Sequence, residues 1–324
     1  MRNMSQAKVN VSIGVFTWKR CELLRKGLEA MTRLTIPSDV NWEVLIVNNN
    51  CTDQTDDGVK SFEARLPIRA VFEARPGKSN ALNKAIHEAK GEYILWTNDD
   101  TRVDEGWVAG YWRAFERWPA AAVFGGAVDP WFEDRPPASL SRVMDRISSA
   151  YAVRDFGVES VPLADDVVPF GANMAVRRDV QARYTYDASL GPRPGSPLRG
   201  EETTVVRRML GDGLEGWWIP DARVRHFIPK SRKRVGFLRD FFFGQGLQDG
   251  LELPAEGYSE FFGRPRFQWR QALGSELRYR IGRPFRKPEV WIQDLAEAAQ
   301  AWGQMSSYGA RRCAASTGAD RRGA

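Results

Sequence analysis

The sequence predicts an α/β fold, with a mostly parallel sheet covered by helices on both faces and a helical C-terminal extension. Segments of strand and helix character alternate through the first third of the 324 residues. The strand segments are apolar along their whole length, which is typical of strands buried on both faces. Polar motifs directly follow three of these strands, at the ends where parallel sheets bind ligands.

Four apolar, partly β-branched segments predict the strands of this sheet. Apolar residues at helical spacing, or polar residues typical of helix starts, predict a helix after each of the first three strands. The predicted strands cover residues 11–16, 43–47, 68–72 and 93–96, and the predicted helices cover 22–32, 52–64 and 79–89.

The pattern is less regular in the second half of the chain. A Pro-containing stretch at 130–139 predicts a loop, and the last fifteen residues have the composition of a disordered end. Further helices are predicted at 106–118, 201–210, 234–244 and 288–305, and strands at 121–125, within 167–176, at 216–219 and at 223–227. We expect one domain over residues 1–262, with halves at about 10–128 and 129–262, and a basic extension over 263–324.

The net charge of +6 is distributed unevenly. Residues 263–324 carry 12 Arg or Lys against 5 Asp or Glu, whereas the rest of the chain carries 35 against 36. Such a tail could contact anionic lipid or nucleic acid, although a solvated Arg-rich end is the simplest interpretation. The three cysteines indicate a reducing compartment rather than a disulfide framework. Because no apolar run reaches the ~18 residues of a membrane span, we expect a cytoplasmic protein that is at most peripheral at the inner face of the membrane.

Three polar segments are expected to meet at one edge of the sheet. They cover residues 16–20, 48–53 and 97–101, and each follows a predicted strand. In the last of them, the adjacent carboxylates of Asp99 and Asp100 suit Mg²⁺ or Mn²⁺, which usually complete their coordination with substrate phosphates. An acidic turn before the helix that starts near Asp104 would explain the same residues without a metal.

Two further segments place charged side chains at predicted helix starts. Gly77 permits a tight turn, and Lys78 then stands at a helix N-terminus, where phosphate binds favourably. Glu201 and Glu202 open another helix, where acids are favourable for the helix dipole alone. A carboxylate at such a junction could also remove a proton from an acceptor hydroxyl. His226 ends a short predicted strand, and either a structural role or a metal or phosphate contact fits it.

Together, these motifs resemble the family 2 glycosyltransferases, which are inverting enzymes with the Rossmann-like GT-A fold. The resemblance lies in their order and spacing and covers about residues 10–250. The segments that carry it are residues 11–20, 48–55, 77–83, 98–100, 170–178, 200–203 and 226–246.

The resemblance implies transfer of a sugar from a nucleoside-diphosphate sugar to an acceptor nucleophile, with inversion and with Mg²⁺ or Mn²⁺ as cofactor. The acceptor would be a glycan, a lipid or a small molecule, and no nucleic acid is expected as a partner. The residues implied to bind the nucleotide sugar are Thr17, Arg20, Asn48, Asn49, Asp53, Lys78, Asn83, Asn98 and Asp99.

The resemblance also assigns the metal, the base and the acceptor side. Asp100 would be the metal ligand, with His226 completing the metal or phosphate environment. Glu202 takes the place of the catalytic base, and Glu201 is its neighbouring alternative. Gly171 and Asn173 would lie on the acceptor side. Separately from the resemblance, the loop that contains Trp131 is expected to shape the acceptor pocket.

Three positions depart from the family pattern. Asn48 stands where an Asp commonly accepts from the base of the nucleotide, and Asn98 replaces the first Asp of the Asp-x-Asp motif. Because an amide oxygen is a weaker cation ligand than a carboxylate, Asp100 must carry more of the metal binding. Glu202 stands where Asp is common, which lengthens the base by one methylene.

Two other function classes fit parts of the sequence. A nucleotidyltransferase also needs a parallel sheet and acidic metal ligands, but usually has a Gly-rich loop after its first strand, and residues 17–20 contain no glycine. A binding module could instead dock on a membrane or a nucleic acid through the basic tail. The stripe at helical spacing that would lie on lipid consists of Trp291, Leu295, Ala298, Trp302 and Met305, although such a stripe more often packs on its own protein.

Overall fold

The protein, seen in a computed structural model, is described over residues 8–189, 191, 200–254 and 257–319. These residues form two compact units. The first unit contains residues 8–131, 152–189, 191 and 200–227, and the second contains 132–151, 228–254 and 257–319. The boundary expected at residues 262 and 263 does not coincide with a boundary of these units, because residues 228–254 belong to the second unit.

The first unit is built on a parallel sheet in the predicted order. Strands β1 to β4 run parallel in the spatial order β3-β2-β1-β4. Helices α1, α2 and α3 connect them. The bounds are β1 Val11–Thr17, α1 Cys21–Met31, β2 Trp42–Asn48, α2 Thr55–Lys60, β3 Ile68–Phe72, α3 Lys78–Glu88 and β4 Tyr93–Asn98.

The sheet continues beyond β4 in the order β7-β6-β8-β5, and β4 pairs with β7 antiparallel. The predicted α/β class is confirmed, and so is the helical character of the C-terminal region. The remaining elements of this part are β5 Thr101–Val103, α4 Trp107–Arg117, β6 Val123–Phe132, β7 Met174–Arg177, α7 Arg178–Gln181, α8 Glu201–Gly211 and β8 Gly216–Ile228.

Burial on both faces explains why the strands are apolar throughout. Val44 and Ile46 of β2 belong to a core cluster shared with α1 and α4. Leu45 and Val47 belong to a second cluster shared with α3 and α8. Because successive side chains of a strand point to opposite faces, a strand covered on both sides needs apolar residues at every position.

Three sequence-based boundaries in this part were wrong. The predicted strands at 216–219 and 223–227 are one strand, β8, which continues through Pro220 and Asp221. Those two residue types are rare in strands, which is why the pattern suggested a break. The predicted loop at 130–139 begins too early, because β6 runs to Phe132. β5 was not predicted, since three residues are too few to show a period.

The second unit is helical, with one short hairpin. Its last helix, α11, was predicted to end near residue 305 and to be followed by a disordered end, but it continues through Ala319. The final five residues of that prediction, 320–324, lie outside the described residues. The elements are α5 Ala138–Arg142, α6 Met144–Ile147, α9 Val235–Glu252, β9 Glu260–Phe261, β10 Arg264–Pro265, α10 Arg266–Gly282 and α11 Pro288–Ala319.

Helices α9 and α11 lie unusually close together. A Cβ atom on Gly246 of α9 would overlap the backbone of Gln300, and one on Gly303 of α11 would overlap the carbonyl oxygen of Phe243. Glycine at these helical positions therefore reflects close packing rather than an unusual backbone conformation. Any larger residue there would push the two helices apart.

The stripe on α11 that was considered for lipid contact lies mostly inside this unit. Leu295, Ala298 and Met305 are buried, while Trp291 and Trp302 are half-buried. The alternative in which this stripe lies on a membrane is therefore wrong, because its central side chains pack on the protein itself. None of the described helices combines the length and the apolar character needed to cross a membrane.

Candidate active site

Polar side chains from the ends of β1 and β4 meet at one edge of the sheet. Thr17 donates a hydrogen bond from Oγ1 to Oδ2 of Asp99 over 2.9 Å. The guanidinium of Arg20 contacts both neighbouring carboxylates, at 3.2 Å from Oδ1 of Asp99 and 2.7 Å from Oδ2 of Asp100. The parallel register of β1 and β4 causes this meeting, since it sets Phe16 directly opposite Asn98.

The two acids are buried, and Arg20 is their counter-ion. Burial, and then the charge of Asp100, raise the pKa of Asp99 to about 6. Burial alone would lower the pKa of Arg20, but the charges of Asp99 and Asp100 outweigh it and raise that pKa. Two carboxylates this close are costly without positive charge nearby, and the guanidinium of Arg20 supplies that charge.

His226 reaches Asp100 through the pairing of β5 with β8. Thr101 lies opposite His226 in this antiparallel pair, and the backbone N–H of Phe227 donates to the carbonyl oxygen of Asp100 over 2.8 Å. As a result, Nε2 of His226 lies 3.4 Å from Oδ1 of Asp100. His226 is buried, and its Nδ1 has no hydrogen-bond partner among the described residues.

A carboxylate and an imidazole fit a divalent cation that takes its other ligands from phosphate and water. The described part of the chain holds no group of three or more His, Cys, Asp or Glu residues arranged around a common metal position.

The asparagines after β2 shape the loops around the site. Asn49 donates from Nδ2 to the carbonyl oxygens of Glu73 at 2.9 Å and Arg75 at 2.7 Å, and its Oδ1 accepts from the N–H of Gly77 at 2.9 Å. Asn48 donates to Asp56 over 2.7 Å. The Asn49 bonds fasten the loop before α3 to the end of β2 and thereby position the start of α3, whereas the Asn48 bond ties the end of β2 to α2.

Two other predicted site residues also make bonds that organise the backbone. Asp53 accepts hydrogen bonds from the N–H of Cys21 at 3.1 Å and from Oγ1 of Thr55 at 2.6 Å. Asn83 both donates to and accepts from the backbone of Tyr186, at 2.8 Å each way. The direct contacts of these residues with a nucleotide sugar stay predictions.

Asn173 is fully buried, and both the oxygen and the nitrogen of its side-chain amide form hydrogen bonds with protein groups. Its Oδ1 accepts from Nε1 of Trp107 at 2.7 Å and from the hydroxyl of Tyr111 at 2.8 Å. Its Nδ2 donates to the carbonyl oxygens of Ala127 and Ala222, at 2.8 Å and 2.7 Å. This arrangement links α4, β6 and β8, so the side chain braces the sheet beside the site.

The starts of α3 and α8 bring Lys78 onto both glutamates of the Gly-Glu-Glu-Thr motif. Nζ of Lys78 lies 2.8 Å from Oε1 of Glu201 and is also ion-paired with Glu202. The ammonium group lies 5.2 Å from the ring centroid of Phe16, the residue just before Thr17. All three charged groups are largely buried. In the sequence, Lys78 and the glutamates stand in separate motifs, and no local pattern predicted that they would form one cluster.

Packing makes the two glutamates chemically different. Burial, followed by the charge of Glu201, raises the pKa of Glu202 to about 8. Burial would do the same to Glu201, but the charge of Lys78 outweighs it and lowers the pKa of Glu201. Near neutral pH the cluster therefore contains one ionised glutamate and one mostly protonated glutamate, and Glu202 becomes able to accept a proton as the pH rises through about 8.

Glu202 lies at the same edge of the sheet as Asp99 and Asp100. A Cβ atom on Gly171 would overlap the carboxyl group of Glu202, so Gly171 allows the backbone to approach it. Three residues later, Met174 pairs with Trp96 of β4, two residues before Asn98. The glutamate cluster and the acidic pair thus both lie beyond the carboxyl end of β4.

Trp131 lies apart from this cluster. Its ring is stacked by the guanidinium of Arg102, 3.6 Å from the ring centroid, and Lys26 of α1 approaches it at 6.0 Å. Phe227 packs edge-on against it at 4.9 Å. Arg102 was not anticipated, although its place two residues after Asp100 could have suggested it. The acceptor-side role of Trp131 remains a prediction.

Comparison with known sequences gives a consistent family match. Residues 12–180 match the sequence profile of "Glycosyl transferase family 2". The succinoglycan biosynthesis protein ExoM of Rhizobium meliloti (strain 1021) is 20% identical over 259 residues, which is 79% of each chain. The probable glycosyltransferase YdaM of Bacillus subtilis (strain 168) is 34% identical over 85 residues, 24% of this chain and 20% of that protein. The chain therefore spans only a fifth of YdaM.

Solved structures share the fold at low sequence identity. The mannosyltransferase PcManGT from Pyrobaculum calidifontis, in complex with GDP-Man and Mn²⁺, superimposes with a TM-score of 0.55 at 18% identity over 96% of this chain and 76% of that chain. GalNAc-T7 with UDP, GalNAc and Mn²⁺ gives 0.53 at 13% identity over 78% and 53%. S. aureus TarS 1-349 gives 0.52 at 12% identity over 94% and 92%.

Proposed function

Because the chain belongs to glycosyl transferase family 2 and is a glycosyltransferase of GT-A fold, we propose that it transfers a sugar from a nucleoside-diphosphate sugar to an acceptor nucleophile with inversion. The observation that carries this proposal is the buried cluster of Lys78, Glu201 and Glu202 beside Gly171. It lies at the sheet edge that also carries Asp99 and Asp100.

The donor would bind along the ends of β1 and β4. Thr17 and Arg20 contact the acidic pair from one side, and Asn49 positions the loop that leads into Lys78. A cation at a helix N-terminus and backbone N–H groups suit a diphosphate. PcManGT binds GDP-Man and GalNAc-T7 binds UDP, each with Mn²⁺, which supports a nucleotide-sugar donor here. The acceptor would be a glycan, a lipid or a small molecule.

Asp100 and His226 are the residues that would hold Mg²⁺ or Mn²⁺. When bound, such a cation supplies Lewis-acid stabilisation to the negative charge that develops on the leaving diphosphate. The charge of Arg20, which contacts both Asp99 and Asp100, adds to the positive field at this edge. Arg20 would therefore help to orient the diphosphate.

Glu202 is proposed as the general base. Its carboxylate would take the proton of the acceptor hydroxyl as the acceptor oxygen forms its bond to the anomeric carbon. The bond between that carbon and the diphosphate oxygen breaks in the same step, and the opposite faces of attack and departure invert the configuration. Lys78 holds the carboxylate in place, and Glu201 keeps its pKa high enough to accept a proton.

Donor binding can be tested without knowing the acceptor. In a thermal-shift panel, a nucleoside diphosphate should raise the melting temperature more with Mn²⁺ or Mg²⁺ than without, because a ligand that binds only the native state stabilises it. In Asp100→Asn the cation-dependent part of the shift should disappear. Asp39→Asn, which changes an exposed carboxylate, is the control and should behave as wild type. A cation-dependent shift that survives in Asp100→Asn would contradict the metal assignment.

The pH profile tests the base. The value of kcat/KM should rise with pH through about 8, because Glu202 must lose its proton to act. The Glu201 charge contributes to the raised pKa of Glu202, so Glu201→Gln should move the rising limb to lower pH. Glu105→Gln, an exposed carboxylate, should leave it unchanged. If the rising limb of kcat/KM stayed at the same pH in Glu201→Gln, the limb would report the titration of a group other than Glu202.

A further inference from the structure

Helix α10 turns its large apolar side chains toward solvent. Leu273, Leu277 and Ile281 are 53%, 59% and 60% exposed, and Phe285 just beyond the helix is 86% exposed. Their spacing of four residues places the three helical side chains on one face. The opposite face is buried and contains both polar and apolar residues. Its buried members are Gln268, Ala272, Ser275, Glu276, Tyr279 and Gly282.

The hairpin before α10 adds two aromatic rings to the same region. Phe261 and Phe262 are exposed at its tip, where Phe262 and Gly263 adopt left-handed backbone conformations with φ of 51° and 67°. Nε1 of Trp269 on α10 donates to the carbonyl oxygen of Phe261 over 2.8 Å, and the two rings lie 6.3 Å apart. This contact holds the tip beside the first turns of α10.

A helix of a globular protein usually turns its leucine and isoleucine side chains inward, whereas α10 leaves three of them exposed. Contiguous exposed apolar surface of this kind marks an interaction site rather than ordinary surface. We call it the α10 face, and it consists of Phe261, Phe262, Arg266, Arg270, Leu273, Leu277, Ile281 and Phe285.

The charge around this face is positive, although Arg278 and Arg286 are ion-paired with acidic residues of α11. Residues 257–287 contain eight Arg or Lys against two Glu. Glu276 is buried and paired with Arg239 and Arg280, and Glu260 accepts a hydrogen bond from the hydroxyl of Tyr308. Arg266 and Arg270 are exposed, and their spacing places them on the same side of the helix as the apolar stripe.

We propose that the α10 face docks this protein on an anionic membrane surface, with α10 lying in the plane of the interface. An amphipathic helix with aliphatic and aromatic residues flanked by arginines fits a bilayer whose headgroups are negative and whose interior is apolar. A second copy bound through the same face would bring two sets of arginines together, which like-charge repulsion disfavours. A nucleic acid offers phosphates but no apolar surface for the leucine and isoleucine side chains.

Vesicle flotation of the full chain tests this proposal directly and does not depend on activity. The wild-type protein should float with vesicles of phosphatidylglycerol and phosphatidylcholine, and much less with phosphatidylcholine alone. Leu277→Glu combined with Ile281→Glu should lower the bound fraction at least about tenfold, because charges enter the apolar part of the interface. Arg266→Gln combined with Arg270→Gln should weaken binding and make it less sensitive to salt.

Val158→Glu is the matched control, because Val158 is 85% exposed outside the α10 face, and this variant should float like wild type. Circular dichroism of all variants checks that they fold. The proposal is overturned if wild type does not bind anionic vesicles, or if the α10 substitutions leave binding unchanged. It is also overturned if the face instead supports self-association in sedimentation, or retention on single-stranded RNA, without vesicle binding.

Discussion

Replacing Glu202 by glutamine is expected to lower the rate of sugar transfer by about 10²–10⁴-fold, the usual contribution of a general base. Glutamine has nearly the same shape as glutamate, and it can keep a hydrogen bond with Lys78, but it cannot take the acceptor proton. Donor affinity should stay close to wild type, because the donor is proposed to bind nearer Asp99 and Asp100. Steady-state turnover with a donor panel, paired with donor titration calorimetry, measures both quantities.

Glu202→Asp provides the comparison for this experiment. It keeps a carboxylate but withdraws it by one methylene, so it should retain more activity than Glu202→Gln while falling below wild type. If Glu202→Gln turned over at the wild-type rate and Glu201→Gln did not, the assignment of the base would pass to Glu201. Each of the two variants, Glu202→Gln and Glu201→Gln, removes one carboxylate. Comparing them therefore shows which of the two positions must carry the carboxylate that acts as the base.

Replacing Lys78 by methionine is expected to destabilise the protein by about 3–5 kcal/mol at neutral pH, because it removes the cation from the buried, ionised carboxylate of Glu201. Methionine preserves most of the side-chain volume, so the loss reports the missing charge rather than a cavity. Denaturant unfolding of wild type and variant gives the difference in the free energy of unfolding.

Lys84→Met is the matched control on the same helix. Lys84 pairs with Glu88 at 2.9 Å across one turn, but both side chains are about one-third exposed, so its loss should change stability by no more than about 0.5 kcal/mol. Equal destabilisation by both substitutions would mean that the buried cluster contributes no more than an ordinary surface pair.

The stability loss of Lys78→Met should also depend on pH. Burial would raise the pKa of Glu201, but the charge of Lys78 outweighs burial and lowers it. In the wild type, ionised Glu201 therefore contributes stability that is present above the unfolded pKa of about 4.3 and is lost as pH falls through the lowered folded value. Without the cation, burial raises the pKa of Glu201, so in Lys78→Met this side chain takes up a proton as pH falls and the penalty of an unpaired buried charge disappears. We therefore expect the defect to shrink toward pH 5. If the loss of unfolding free energy in Lys78→Met became larger at lower pH, this explanation would be contradicted.

The parallel half of the sheet could be predicted because its signals are local. Apolar segments separated by helical patterns define β1 to β4, and parallel strands necessarily bring their carboxyl ends to one edge. This geometry is why Thr17 and Asp99 could be expected to lie together, although 82 residues separate them in the chain. Helix α10 could not be assigned in the same way. Its leucines face solvent, so the hydrophobic period did not indicate a core-facing side.

His226 and Asp100 illustrate a contact that no local pattern indicates. Their approach depends on antiparallel pairing between β5, which has only three residues, and the distant strand β8. Asn173 is a similar case. Its sequence context suggested the acceptor side, but its four hydrogen bonds come from three separate elements that close around it.

The sequence by itself determined the α/β class, the family motifs and the residue types gathered at the edge of the sheet, because periodicity and turn chemistry are properties of neighbouring residues. It placed two glutamates at the start of one helix, and only the family resemblance favoured Glu202 over Glu201 as the base. The tertiary structure gave them different proton affinities, since it buried both, set Lys78 against them and left Glu202 facing Gly171. Proton affinity depends on burial and on nearby charge, and both are decided by parts of the chain far from the residue itself.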